Sequence, residues 1–154
     1  VCVTSPVFSQ TEGSPSLGIL GGVAFPQGST TRIPVVDWQP SFNWGFYVNI
    51  PLIYTFHLST SSELYRLGGQ NATDFDIAFK FIVPVSAFGL YVGVSPGLTA
   101  ISDVLDVHVG LLGGATFNLI SNLDAFVQVK YTLIFDGDGS VQVLHMNGGL
   151  LFNF

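Results

Sequence analysis

Between Phe42 and Leu58 the chain reads FNWGFYVNIPLIYTFHL, and every second residue is a large apolar one. Phe42, Trp44, Phe46, Val48, Ile50, Leu52, Tyr54, Phe56 and Leu58 share one face. Asn43, Gly45, Tyr47, Asn49, Pro51, Ile53, Thr55 and His57 share the other. A period of two is that of an extended strand, because successive side chains point to opposite sides of the backbone. Strands in soluble sheets are usually about 5 to 6 residues long, whereas a strand crossing a bilayer needs about 9 to 11. Pro51 has no N–H to give to a sheet ladder, so a bulge or local break is expected there.

The alternation recurs down the chain. In DFDIAFKFIV, Phe75, Ile77, Phe79, Phe81 and Val83 oppose Asp74, Asp76, Ala78 and Lys80; in DVHVGLLGGATFNL, Val107, Val109, Leu111, Ala115, Phe117 and Leu119 oppose Asp106, His108, Gly110, Gly114, Thr116 and Asn118. In LDAFVQVKYTLIF, Ala125, Val127, Val129, Tyr131 and Leu133 oppose Asp124, Gln128, Lys130 and Thr132, with Phe126 and Ile134 falling on the polar side. Eight strands are expected, at 16–27, 41–57, 62–70, 73–84, 88–100, 104–119, 123–135 and 141–154. STSS, PVSA, SN and DGDGS are read as turns. The one long connection is Gly28 to Pro40. No helical segment and no second domain is expected.

Periodicity does not say which face meets water; composition does. Only 9% of residues are charged against 48% hydrophobic, where a soluble domain has about 25% charged. A surface of Asn, Gly, Asp, Lys and Thr carries too few charges and too many glycines for a soluble barrel. With the faces reversed, an apolar band meets lipid and the polar residues fill a narrow interior. Mean hydropathy is +0.54, yet no run of about 18 apolar residues exists. Phe81 to Leu98 comes nearest, interrupted by Pro84, Pro96 and three glycines. The expected fold is therefore an all-β, eight-stranded antiparallel up-and-down transmembrane β-barrel. Closure removes unpaired sheet edges, which hydrocarbon cannot satisfy. Eight strands leave room inside only for side chains.

FDIAFKFIVPVSAFGLYVGVSPGL, Phe75 to Leu98, and GLLGGATFNLISNLDAFVQVKYTL, Gly110 to Leu133, resemble the small outer-membrane-protein β-barrel domain family of Gram-negative bacteria, related in architecture to the OmpA and OmpX barrels. LYVGVSPGL after PVSAFG is similar to that family's PYVGAGPGL-like strand after a short turn, and GATFNLISNLDAF is similar to its strand, turn and strand that follow. The resemblance covers the last half of the chain well and the first half by pattern. It implies a signal peptide, location in the outer membrane, contact with outer-membrane lipid, insertion by the barrel assembly machinery, and no particular catalytic activity.

The opening VCVTSPVFSQ reads as the end of such a leader, residues 1–9, with cleavage after Ser9; residues 10–154 then form a single barrel domain. At the other end, NGGLLFNF places Leu150, Phe152 and Phe154 on the lipid face of a closing strand and resembles the signal read by the assembly machinery.

Chemistry is sparse in this sequence. Asp74, Asp76, Lys80, Asp106, His108, Asp124 and Lys130 are expected to form a polar network in the lumen, with Arg66 joining the ion pairs, since unpaired charges in a confined interior are costly. His57, His108 and His145 lie on different expected strands without metal-ligand spacing, so no metal or cofactor is expected. LHMNGG around His145 does not match a lipid A deacylase, so no catalytic residue is assigned. Lipid modification remains an alternative function, and ligand binding or narrow-pore transport through the lumen another. DGDG, Asp136 to Gly139, lacks the remaining ligands of a calcium loop and reads as a hairpin. Trp38, Trp44, Tyr47 and Tyr54 are candidates for an interfacial aromatic girdle. A formal charge of −6 with no basic run excludes a nucleic-acid partner. A monomer is expected.

Overall fold

A computed structural model describes residues 14–86 and 88–154. The expected leader at residues 1–9 lies outside the described residues. Eight strands follow in order: β1 (Ser16–Gln27), β2 (Ser41–Ile53), β3 (Phe56–Leu67), β4 (Gln70–Val85), β5 (Phe88–Ile101), β6 (Val104–Ile120), β7 (Leu123–Asp136) and β8 (Gly139–Asn153). Each pairs antiparallel with its neighbour in sequence, and β1 pairs with β8 from Ser16↔Asn153 to Gln27↔Gln142, which closes the barrel. Closure gives every strand two hydrogen-bonded neighbours, the condition for backbone in hydrocarbon.

The faces fall as composition requires. Phe46 is 54% exposed, Phe75 50%, Val107 60% and Phe152 51%, while Asn43, Glu63, Asp74 and His108 are fully buried in the interior. Large apolar side chains thus cover the outside and polar ones the inside, the arrangement of a barrel bathed in lipid.

Six of the eight strands lie within three residues of their expected bounds. The exception is the β2–β3 hairpin. The sequence pattern places one strand at 41–57 and a turn at STSS; in the structure the turn is Tyr54–Thr55, and Ser59 to Ser62 lie inside β3, paired with Asn49 to Phe46. The reason is parity. A two-residue turn alone exchanges the outward parity, as it does between β3 and β4, but the register shift between Pro51 and Ile53 cancels the exchange, so even-numbered residues point outward in both β2 and β3 and the alternation does not mark the hairpin. The expected irregularity at Pro51 is present, as a register shift between Pro51 and Ile53, and it turns Ile53 outward, to 63% exposure. Gly68 and Gly69, placed in a strand from the sequence, form the β3–β4 turn with φ of 58° and 81°, a conformation that favours glycine.

The turns divide into two ends. Tyr54–Thr55, Ser86 and Ser121–Asn122 lie at one end, together with Ser16 and Asn153. The 28–40 connection and the turns at 68–69, 102–103 and 137–138 lie at the other. The long connection folds back over its own end of the barrel. Ile33, with no exposed surface, packs among Ala24, Tyr65, Leu67, Ala72, Ile101, Ile134, Val141 and Val143. Gly68 lets it approach, because a side chain there would collide with the Pro34 carbonyl.

Candidate functional site: the barrel interior

Strand parity aims Glu63 and Tyr65 of β3, Asp74 and Asp76 of β4, Thr99 of β5, His108 of β6, Lys130 of β7 and His145 of β8 into one buried layer. Lys130, 1% exposed, is its hub. Its ammonium donates to Glu63 Oε1 at 2.6 Å and Asp76 Oδ2 at 2.8 Å, and lies 3.9 Å from Asp74 Oδ2. Glu63 Oε2 accepts from Asn43 Nδ2 at 3.2 Å and Asn147 Nδ2 at 3.0 Å, and Asn43 also donates to Asn147 Oδ1 at 2.7 Å. Such satisfaction is what a buried charge requires. His108 fits between the strands because position 97 is glycine: a Cβ there would run into the imidazole ring.

The other expected members of the network are dispersed. Lys80 is buried but makes no ion pair among the described residues. Its ammonium contacts the Tyr47 hydroxyl, lies 3.4 Å from Gln128 Oε1, and sits 4.4 Å and 4.5 Å from the Tyr47 and Tyr91 ring centroids. Two aromatic faces stand in for a counter-ion, a cation–π arrangement. Asp106 belongs to the loop-side rim, where it pairs with Arg32; Arg32 also reaches Asp136 Oδ1 at 3.0 Å, and Thr30 donates to Asp136 Oδ2 at 2.6 Å. Hydrogen bonds to Asp106 and Asp136 raise the Arg32 pKa above its ordinary value. Asp124 lies at the opposite rim, accepting from Asn118 and Asn153, both at 2.9 Å. Arg66 does not join any interior ion pair: it projects outward from β3, since its even number puts it on the lipid side.

Tyr47 is another correction. The sequence pattern groups it with the interfacial aromatics, yet it is 5% exposed inside the barrel and stacks on Phe126, centroids 5.1 Å apart. Trp38, Trp44 and Tyr54, 54%, 47% and 71% exposed, are free to meet an interface. Leu150, Phe152 and Phe154 all face outward.

The sequence reading missed Glu63, Asn43, Asn147, Tyr65 and Thr99 as network members. Glu63 carried a usable signal. It is the single acid of β3, and a strand starting at Phe56 would have aligned it with the inward-facing Ser59 and Ser61.

Two chemical possibilities can be weighed from this geometry. Thr99 Oγ1, His108 and Asp76 form a hydroxyl, imidazole and carboxylate series, with 2.7 Å from Oγ1 to Nδ1 and 2.9 Å from Nε2 to Asp76 Oδ1. A nucleophile needs access to a substrate. Thr99 has none: it is fully buried and its hydroxyl is committed to Asp74 Oδ1 at 2.7 Å. Asp74, Asp76 and His108 also approach one another closely enough to hold a metal ion. The Lys130 ammonium already supplies the positive charge there, and His108 uses both ring nitrogens in hydrogen bonds. The donor set therefore does not suit a metal. A cavity lined by Ser59, Ser61, Lys80, Ser95, Gln128 and Lys130 has room for about one water, and the hydroxyls of Ser59 and Ser95 have no partner among the described residues.

Neither a protein-family model nor a curated protein sequence matches this chain. Its fold is that of small outer-membrane barrels of known structure. Neisserial surface protein A superimposes with a TM-score of 0.74 at 13% identity, covering 91% of this chain and 97% of that one. The N-terminal β-barrel domain of Pseudomonas aeruginosa OprF gives 0.60 at 14% identity over 93% and 100% of the two chains. Ail, the attachment invasion locus protein of Yersinia pestis, solved with the heparin analogue sucrose octasulfate, gives 0.60 at 12% identity over 93% and 99%.

Proposed function

We propose that this chain is an integral protein of the bacterial outer membrane with a structural or surface-interaction role, closed to solutes, and with the 28–40 connection as its principal surface element. The observation carrying this reading is the filled interior. Lys130 and its three carboxylates occupy the middle of the barrel, and Ile33 stops the loop-side mouth. Planar-bilayer recording of the purified barrel is expected to give no conductance steps. Discrete wild-type steps would favour narrow-pore transport instead. Fractionation offers a second check: the protein is expected to require detergent for extraction and to change gel mobility on heating.

Export by a signal peptide, insertion by the barrel assembly machinery and a monomeric state belong to the same proposal. The outward row Leu150, Phe152 and Phe154 on β8 supports the assembly part, since it offers the alternating aromatic face of a closing strand. Catalysis finds no support in a Thr99 hydroxyl sealed from any substrate. Nor does the ligand chemistry of Ail transfer easily. The exposed charges at the loop end are Asp37, Asp103 and Asp138 against Arg66, a balance that repels a sulfated polyanion. Interaction at the surface would instead use the exposed Val36 to Trp38 tip of the connection, where Val36 is 66% exposed.

A further inference from the structure

The polarity of the hydrogen bonds around Thr99 requires one more proton than ionised carboxylates and a neutral imidazole supply. Thr99 Oγ1 lies 2.7 Å from Asp74 Oδ1 and 2.7 Å from His108 Nδ1. A hydroxyl has one proton to donate. If it donates to Asp74, then His108 Nδ1 must carry a proton and donate it to Thr99. His108 Nε2 faces Asp76 Oδ1 at 2.9 Å and donates as well, since the Lys130 ammonium 2.8 Å from its other oxygen keeps Asp76 ionised and therefore an acceptor. His108 is then an imidazolium. If Thr99 donates to His108 instead, Asp74 must be protonated at Oδ1 and donate to Thr99. Without the extra proton, lone pairs would oppose each other across one of two short contacts.

We propose that the centre of the barrel binds one mobile proton, shared between Asp74 and His108 and relayed through the Thr99 hydroxyl. Transfer breaks the Nδ1–H bond of His108 as Thr99 Oγ1 takes that proton, while the hydroxyl's own proton passes to Asp74 Oδ1; no atom moves far and no charge leaves the chain of three. The charge inventory agrees. Below the rim, Glu63, Asp74 and Asp76 carry three negative charges against the two ammoniums of Lys130 and Lys80, and the shared proton makes the third positive charge; the rim acids Asp106 and Asp136 are engaged by Arg32. The groups facing this chain are Glu63 and Tyr65 from β3, Asp76 from β4, Lys130 from β7 and His145 from β8. Tyr65 donates to Asp74 Oδ1 at 3.0 Å. On the far side, Asp74 Oδ2 and His145 Nε2 are buried 3.8 Å apart, without hydrogen-bond partners among the described residues. From β5 and β6 only Thr99 and His108 themselves take part, and the rim acid Asp106 is engaged by Arg32.

The test is side-chain NMR of the folded barrel in detergent micelles at about neutral pH, with isotope-labelled histidine and aspartate and folding checked by heat-dependent gel mobility. Wild type is expected to show either two protonated ring nitrogens on His108 or a protonated Asp74 carboxyl, the same proton at its two ends. Thr99→Val keeps the shape and removes the relay. Its expected spectrum has a neutral His108 and an ionised Asp74, and Thr99→Ser restores the wild-type signature. A wild type with neutral His108 and ionised Asp74 overturns the proposal, as does a Val variant that keeps the proton. Should the Val variant not fold, the wild-type spectrum decides alone.

Discussion

Replacing Lys130 by Met keeps the aliphatic stem and removes the ammonium that two carboxylate oxygens share at 2.6 Å and 2.8 Å, with a third carboxylate oxygen 3.9 Å away. Lys130 is 1% exposed and Glu63 fully buried, so bulk water does not replace the lost donor. Deleting one partner of a buried pair costs about 3–5 kcal/mol, because the remaining charge is left uncompensated in a medium of low dielectric. Here two carboxylates are stranded together, the Glu63 and Asp76 side chains being 0% and 2% accessible, which puts the expectation at the upper end of that range. Equilibrium urea unfolding of the barrel in lipid vesicles, followed by gel mobility and tryptophan fluorescence, measures it. The companion variant decides the cause. Lys130→Met combined with Glu63→Gln and Asp76→Asn removes the stranded charges while keeping shape, and is expected to recover most of the loss. A single variant less than about 1 kcal/mol below wild type, or a triple variant no better than the single, would refute the view that Lys130 stabilises by neutralising carboxylates.

Further outcomes follow from the same geometry. Ile33→Ala vacates the stopper's place among eight packed residues and is expected to cost about 2–4 kcal/mol in the same assay; a loss no larger than that of an exposed residue such as Val36→Ala would mean that the connection does not seal the mouth. Arg32 is held charged by Asp106 and Asp136. Its raised folded-state pKa contributes stability that is complete below the unfolded value and lost only as pH rises through the folded one, so the clamp is expected to be unaffected between about pH 7 and about pH 10; a wild-type-specific loosening of the 28–40 segment in that range, measured by limited proteolysis against Arg32→Ala, would count against it. Gly97→Ala pushes a methyl group into the His108 ring and is expected to hinder folding far more than Gly113→Ala, whose added Cβ meets only ordinary contacts; equal folding yields would show that the ring is not pinned there. Deleting Phe154 is expected to slow insertion by the assembly machinery in cells, with normal surface yield as the contrary result.

How much of this was legible in one dimension depends on what each residue's position is set by. The lipid-facing row Phe42, Trp44 and Phe46, and the buried Asp74, Asp76, Lys80 and His108, follow from parity once the low charge content has turned the apolar face to the bilayer. Bounds were legible where glycine and aspartate interrupt the alternation and the outward parity changes, as at Gly137–Asp138. They were hidden at Tyr54–Thr55, where parity passes through the turn. The missed Glu63 traces to that same hidden hairpin.

The sequence by itself determined that the chain closes a barrel with its apolar side outward, because alternation and low charge are local properties that need no partner residue. Which inward groups meet was decided only by tertiary structure. Lys130 lies 67 residues from Glu63 and 54 from Asp76, and Lys80, identical in parity and charge, found two tyrosine rings instead of an acid. Register and strand stagger set the height of each side chain along the barrel axis, and these depend on all eight pairings at once. The placement of Ile33 in the mouth is likewise a product of closure, for its apolar seat does not exist until residues from β1, β3, β4, β5, β7 and β8 have been brought around it.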